Sequence, residues 1–322
     1  MAAAMTAPVP IPVSVVVMTK DESANIAACL RGLHAFAQVF VVDSGSTDGT
    51  AAIARDLGAT VVPFAWNGRY PKKKQWCLDT LPLRHDWVLF VDADERVTPE
   101  LAAELAALLG PAAPPPPAVA YFLRSRPVVL GRVLRFGVAY RKIALLRRGR
   151  ARFPDCPDLD VAEMWEVEGH YQPALDGPAG RLSAALLHDD LKPPCAWFAR
   201  HARYAAWEAR LDLEPWRRAA LLAAEGPWRR RLKRIAGRLP LRPVLAFLHA
   251  YVLRLGLLDG LPGLHHAAGR AFYYWQVSYH RAWLARRGGE VGDRAQPVSS
   301  TSPASAFTNS NARRRTDSSG MR

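Results

Sequence analysis

The chain predicts an α/β fold built on a parallel sheet, and two features of the sequence lead there. Short apolar, β-branched runs alternate with helical segments through the N-terminal third. That order is expected when each strand crosses over through a helix to lie parallel to an earlier one. The runs also lack polar alternation. Trp87-Val-Leu-Phe-Val-Asp92 is apolar up to its last residue, as suits a strand covered on both faces by helices.

Taken in order, Val13 to Thr19 reads as the first strand, and Lys20 to Ser23 as a turn in which Ser23 caps a helix through Ala27, Leu30 and Leu33. The second strand is Val39-Phe-Val-Val-Asp43. Ser44-Gly-Ser46-Thr47-Asp48-Gly49-Thr50 is turn-rich. It opens a helix from Thr50 to Leu57 that Gly58 stops. A short strand at Thr60 to Pro63 follows, then a helix opened by Lys72-Lys-Lys74-Gln75-Trp76, then the strand to Asp92. Thr98-Pro99-Glu100 starts the next helix.

Carboxylates recur at the strand C-termini, the edge at which open α/β sheets bind ligands. Asp43 ends the second strand, and Asp92, Asp94 and Glu95 end the fourth. The two-residue side-chain period puts Asp92 and Asp94 on one side of an extended chain. Two hard oxygen donors so placed suit Mg²⁺ or Mn²⁺ carried with a phosphorylated substrate.

After Gly110, the proline-rich run 111–117 reads as a stiff linker. Strands are expected at Tyr121 to Arg124, Lys142 to Arg147 and Leu182 to His188, with a basic turn at Arg147 to Arg152. Between the last two strands lie Glu163, Glu166 and Glu168, ahead of Gly169 and His170.

The formal charge of +14 is uneven, for residues 196–287 hold 17 Lys/Arg against 5 Asp/Glu. Nucleic acid and an anionic membrane surface are the ordinary partners of such a region. Its apolar segment, Leu241 to Leu258, is interrupted by Arg242, His249 and Arg254, too soon for the roughly 20 residues of a bilayer span. A helix lying in the membrane interface with Trp and Tyr anchors fits better, and no nucleic-acid partner is expected. The four cysteines have no CxxC spacing and read as free thiols of a reducing compartment. Met1 to Pro8 lacks a basic n-region, so no signal peptide is expected.

Three motifs in succession carry a resemblance. Thr19-Lys-Asp-Glu22, Val41-Val-Asp43-Ser-Gly-Ser46-Thr47-Asp48-Gly49-Thr50 and Asp92-Ala-Asp94-Glu95 resemble the signatures of family 2 glycosyltransferases. Lys74-Gln75-Trp76-Cys77-Leu78 resembles a helix of the subgroup that builds lipopolysaccharide cores and related bacterial glycans. The resemblance implies a GT-A, Rossmann-like domain over 12–195, with a nucleotide-binding half at 12–110 and an acceptor half at 118–195. Residues 1–11 would be a tail, 196–287 a basic helical extension and 288–322 disordered.

It further implies inverting transfer of a sugar from a nucleotide-diphosphate donor to a glycan or lipid-linked acceptor, with a divalent metal, on the inner face of the cytoplasmic membrane. A polyprenyl-phosphate or small-molecule acceptor is the alternative within the fold, and a basic nucleic-acid-binding protein the alternative outside it. Thr19, Glu22, Asp43, Ser46, Lys74 and Asp92 are the expected donor-binding residues, and Asp94 and His188 the expected metal ligands. Glu163, Glu166 and Glu168 are the candidate bases, Glu166 foremost. Ala162 stands where the subgroup usually carries His.

Overall fold

The computed structural model describes residues 9–156, 166–168, 172–221, 228, 231 and 241–294. Four strands lie parallel in the first half: β1 (Ile11–Thr19), β2 (Phe36–Asp43), β3 (Thr60–Pro63) and β4 (Trp87–Asp92). Their order is β3-β2-β1-β4. The register sets Thr19 beside Asp43, and Met18 beside Asp92. All the carboxyl-terminal side chains named above therefore leave the sheet at one edge.

Helices cover both faces, as expected. α1 (Ile26–Arg31), α2 (Thr50–Asp56) and, after the short β5 (Glu95–Val97), α4 (Pro99–Leu109) bury Ile26, Ala54, Leu101 and Leu105 against Val13, Val15, Leu89 and Val91. α3 (Lys73–Thr80) buries Cys77 on the other face, against Val16, Phe40 and Phe90. Thr98 caps α4, its hydroxyl accepting from Leu101 N. The cap expected of Ser23 is not formed. α1 starts later, at Ile26 behind Asn25, whose side chain is committed elsewhere.

Beyond α4 the sheet stops being parallel. β6 (Ala120–Val129), the two-residue β7 (Arg132–Val133) and β8 (Tyr140–Arg147) form an antiparallel hairpin, and β8 docks antiparallel on β4. A small ribbon pairs β9 (Ala151–Arg152) with β10 (Ala174–Leu175), and β11 (Ala179–His188) runs parallel to β6. β5 closes the order against β11 with Glu95 opposite His188. Segment length explains the change, because β6 and β8 are joined by too few residues for a helical crossover.

The C-terminal part is helical: α5 (Pro194–Leu213), α6 (Pro215–Leu221), α7 (Arg242–Leu248), a π turn (His249–Leu253), a 3₁₀ turn (Gly256–Asp259) and α8 (Leu261–Arg294). α8 passes the boundary expected at Arg287, since Gly288 and Gly289 do not break it. Each interior glycine costs a helix only about 1 kcal/mol. The remainder of the predicted tail, 295–322, lies outside the described residues.

Part of the basic region turns inward. Glu208 on α5 accepts from Arg242 at 2.6 Å and from the Tyr273 hydroxyl at 2.7 Å, and Arg218 pairs with Asp212. Asp259 ties this region to the β6–β8 hairpin by accepting from Arg135 N at 3.0 Å and Phe136 N at 2.9 Å.

Gly256 and Gly263 have a packing role. A Cβ on Gly263 would collide with the Gly256 carbonyl oxygen, and one on Gly256 would lie 2.7 Å from the Ala250 carbonyl oxygen. These atoms are backbone and cannot step aside. Gly263→Ala is therefore expected to lose about 1–3 kcal/mol of stability, read as a lower midpoint in chemical denaturation; an unchanged midpoint would refute the close backbone contact.

Candidate functional site

The loops after β1 and β2 are laced together through their polar side chains. Thr19 donates to Asp43 Oδ1 at 3.1 Å, Ser46 N donates to Asp43 Oδ2 at 3.0 Å, and the Ser46 hydroxyl also reaches Asp43. Asp21 N donates to Ser46 Oγ at 2.8 Å, and Thr47 N to Asp21 at 2.8 Å. Burial alone would raise the Asp43 pKa, but hydrogen bonds from Ser46 and Thr19 and the charge of Lys73 hold it below the ordinary aspartate value. Asp48 accepts from Ser23 N at 2.9 Å and Thr50 N at 3.1 Å, which clamps the start of α2 to the loop after β1. Gly49 makes this possible with φ of +89° between them, a conformation costly for other residues.

The end of β4 holds a second cluster. Lys142, from the middle of β8, donates to Asp92 Oδ2 at 2.5 Å and to Glu95 Oε2 at 2.6 Å. Glu95 is 3% exposed and also accepts from Asp92 N and from the Ser125 hydroxyl. Desolvation would raise the Asp92 pKa, and the Lys142 ammonium overrides it and keeps that carboxylate well below the usual range. Glu95 shifts the other way, since burial outweighs the same ammonium.

Asp94 is 7% exposed and faces His188 Nε2 at 3.1 Å, with Arg200 of α5 at 3.6 Å. Burial lowers the affinity of His188 for its proton, yet the Asp94 carboxylate wins and raises its pKa to about 9. The predicted pair Asp94 and His188 is thus brought together from β4 and β11. Among the described residues, no three His, Cys, Asp or Glu side chains stand close enough to hold an ion by protein donors alone.

Glu22 lies between the clusters. Its carboxylate meets Lys192 at 2.5 Å and Asn25 at 2.8 Å, and burial raises its pKa. Asn25 also donates to Asp190, which in turn accepts from Arg200 at 2.6 Å.

α3 contributes the lysines. Lys73, only 1% exposed, donates to the Thr19 carbonyl at 3.0 Å and the Ser44 hydroxyl at 2.6 Å, with Glu166 at 3.7 Å. Burial pulls the Lys73 pKa down against Glu166 and Asp43. Lys74 reaches the Glu168 carbonyl at 3.3 Å, and burial lowers its pKa while Asp92 opposes.

The candidate bases separate. Glu168 accepts from Lys74 N at 2.7 Å and Gln75 N at 2.9 Å, so both its oxygens cap α3 in the manner favoured at a helix N-terminus. Glu166 is half-buried and rests against Lys73, on the Asp43 side of the site. Glu163 lies outside the described residues.

Lys142, Lys192, Asp190 and Arg200 are site residues that the sequence reading did not single out. Lys142 follows Arg141 just ahead of the apolar stretch 143–146 of β8, where a charge reads as a polar strand start; Arg200 carried no signal among so many arginines.

Residues 14–130 match the family model described as glycosyl transferase family 2, so the resemblance carried by the three motifs holds over that segment. An uncharacterized glycosyltransferase of Rickettsia felis (strain ATCC VR-1525 / URRWXCal2) is 38% identical over 97 residues, 29% of this chain and 32% of that protein. The lipopolysaccharide core biosynthesis glycosyltransferase LpsC of Rhizobium meliloti (strain 1021) is 30% identical over 154 residues, 44% of this chain and 53% of that protein. The chain thus spans about a third of the length of the former relative and about half of the latter. Among solved structures, glucosyl-3-phosphoglycerate synthase from Mycobacterium tuberculosis in complex with Mn²⁺, UDP and glucosyl-3-phosphoglycerate aligns at 19% identity with a TM-score of 0.33, covering 61% of this chain and 79% of that one. Mannosyl-3-phosphoglycerate synthase from Rubrobacter xylanophilus aligns at 26% identity with a TM-score of 0.28, covering 37% and 41%.

The clamp at Asp48 has a pH signature. Burial would raise its pKa, but hydrogen bonds from Thr50 and Ser23 hold it below the ordinary 3.8. A depressed carboxylate stabilises the fold fully above its unfolded value, and the contribution is lost as pH falls through the folded value. Thermal melts followed by circular dichroism should show Tm falling below about pH 4, with Asp48→Asn less stable at neutral pH and flatter in acid. Parallel acid limbs for the two proteins would contradict this role.

Proposed function

We propose that the chain is an inverting glycosyltransferase that moves a sugar from a nucleotide-diphosphate donor to a glycan or lipid-linked acceptor of the bacterial cell envelope. The observation that carries this reading is the convergence of Thr19, Asp43, Asp92 and Asp94 at one edge of the sheet, within the matched segment. The printed function of the Rhizobium relative, lipopolysaccharide core biosynthesis, supports the acceptor class.

An inverting transfer is one in-line displacement. A carboxylate removes the acceptor hydroxyl proton as the diphosphate leaves, so the site must hold a donor, offset growing negative charge and supply a base. Thr19, Asp43 and Ser46 line the end of β2 where a nucleoside would lie, and Glu22 borders it. The buried Lys73 and the half-buried Lys74 bring positive charge to the floor of that site, and Lys142 keeps Asp92 ionised and fixed. Asp94 supplies a carboxylate oxygen of the kind Mg²⁺ or Mn²⁺ accepts, and His188, 3.1 Å from it, would join as a ligand on giving up the proton it shares with Asp94. Asp94 and His188 would hold such an ion, with donor oxygens and water filling the other positions. Bound there, the ion would supply Lewis-acid stabilisation of the leaving diphosphate. Glu166 is the base in this reading, because both oxygens of Glu168 are taken by the α3 backbone.

The C-terminal helices support association with the inner face of the cytoplasmic membrane. Among the described residues no helix is long and apolar enough to cross a membrane. Leu245, Leu248, Leu253, Leu258 and Leu261 are nevertheless exposed, Leu253 by 73%. Leu130 and Phe136 on the hairpin are exposed as well, next to backbone N–H groups that Asp259 holds. An apolar patch of this kind flanked by arginines matches an interfacial surface.

Three measurements test the reading. Incubation with UDP-, GDP- and CMP-sugars should release one nucleotide diphosphate in a Mn²⁺-dependent manner, and Asp94→Ala should abolish the release. With acceptor present, Glu166→Gln should lower kcat by roughly 10²–10⁴-fold, the usual worth of a general base. No release and no nucleotide binding by the wild type would remove the transferase reading, and an unaffected kcat would pass the base to Glu163. Separately, Leu253→Asp with Leu258→Asp should weaken sedimentation with phosphatidylglycerol vesicles by about tenfold or more, given about 1.5–3 kcal/mol for each buried leucine. Unchanged sedimentation would exclude this patch as the contact.

A further inference from the structure

Arg124 on β6 and Arg141 on β8 are direct cross-strand partners. Like charges placed opposite each other destabilise a sheet. Arg181 on β11 stands beside Phe122, the residue two before Arg124 on the same face of β6. The three arginines line one open pocket of about 170 Å³, together with Phe122, Leu182 and Ser183. Among the described residues none of the three meets a carboxylate; Arg124 reaches only the Ser183 carbonyl, at 3.4 Å. Several other arginines do meet carboxylates: Arg147 with Asp86, Arg150 with Asp176, Arg200 with Asp190 and Arg242 with Glu208. Burial and the neighbouring guanidinium groups of Arg126 and Arg141 also hold the Arg124 pKa below the ordinary arginine value.

We propose that Arg124, Arg141 and Arg181 form an anion site for the phosphate group of a phosphorylated ligand, separate from the carboxylate edge. The side-chain period separates the two places. Lys142 follows Arg141 on β8 and points to the opposite face, into Asp92 and Glu95. Convergent guanidinium groups match phosphate oxygens with several charge-assisted hydrogen bonds, which a lysine cluster would not orient. The phosphate could be carried by a soluble sugar phosphate or glycan, or by a lipid headgroup; the chemistry is the same, and the two sources are separable.

Inorganic phosphate is the probe, titrated by calorimetry and thermal melts against chloride at equal ionic strength. Wild type should bind phosphate and gain Tm. Arg124→Gln with Arg141→Gln should bind about tenfold more weakly or worse, as expected from lost charged hydrogen bonds. Without phosphate this variant should melt no lower than wild type, because the opposed charges are gone. If it does not fold, Arg181→Gln at the exposed rim carries the same test, and Arg147→Gln is the control that should bind normally. Phosphate binding unchanged in the double variant and in Arg181→Gln would overturn the proposal, as would equal losses in Arg147→Gln. Glucose 6-phosphate and phosphatidylglycerol vesicles then identify the source. Loss of sugar-phosphate binding alone assigns a soluble or glycan phosphate, and loss of vesicle sedimentation in the same variants assigns a headgroup.

Discussion

Crowding of negative charge at one edge of the sheet is the constraint on which the rest of the structure depends. Asp92, Asp94 and Glu95 fall within one short stretch, with Asp43 on a nearby strand and Glu22 and Asp190 around them. Two unit charges about 4 Å apart interact by about 4 kcal/mol at the effective dielectric of a protein surface region. Unopposed, such a cluster would protonate or force the strand ends apart. The fold answers by bringing cations in from several elements: Lys73 from α3 near Asp43, Lys142 from β8 to both Asp92 and Glu95, His188 from β11 to Asp94, Arg200 from α5 to Asp94 and Asp190, and Lys192 from the loop between β11 and α5 to Glu22. The antiparallel return after α4 therefore has an electrostatic consequence beyond extending the sheet, for it is β8 lying against β4 that carries Lys142 to Asp92.

That division explains how much was legible in the sequence. The first four strands and the helices between them announce themselves through apolar runs, glycine stops and turn chemistry, all of which are local. The carboxylates at strand ends are local too, so Asp43, Asp92 and Asp94 could be named before any coordinates. Their partners are not local. Lys142 is 50 positions from Asp92 along the chain, and Lys192 is 170 from Glu22; nothing in either neighbourhood reports the pairing. His188 was legible through the family resemblance together with its place at the end of an apolar strand. Ser23 illustrates the reverse case, a good local cap signal overridden when Asp48 takes its backbone N–H and Asn25 moves to the helix start. Glu168 shows a third kind of limit. A glutamate in a loop reads equally as a base or as a cap, and only the position of α3 decides between them.

The β6–β8 hairpin joins what would otherwise be separate regions. At its base Ser125 and Lys142 hold Glu95, and at its tip Arg135 N and Phe136 N are held by Asp259 of the C-terminal region. Arg270 of α8 adds a bond to the Tyr140 hydroxyl, 3.1 Å away. One antiparallel unit thus touches the carboxylate edge and the leucine-rich turn, with no flexible linker between those two contacts. Close backbone packing at Gly256 and Gly263 fixes the geometry of the turn itself. Under the proposed reading the consequence is positional. A transferase with a lipid-linked acceptor must hold its donor at a set height above the membrane, and a paired hairpin sets that height better than a linker does. The same hairpin carries Arg124 and Arg141 on the face turned away from Lys142. A phosphate held there would be fixed relative to the donor carboxylates by the sheet, through residues adjacent in the chain.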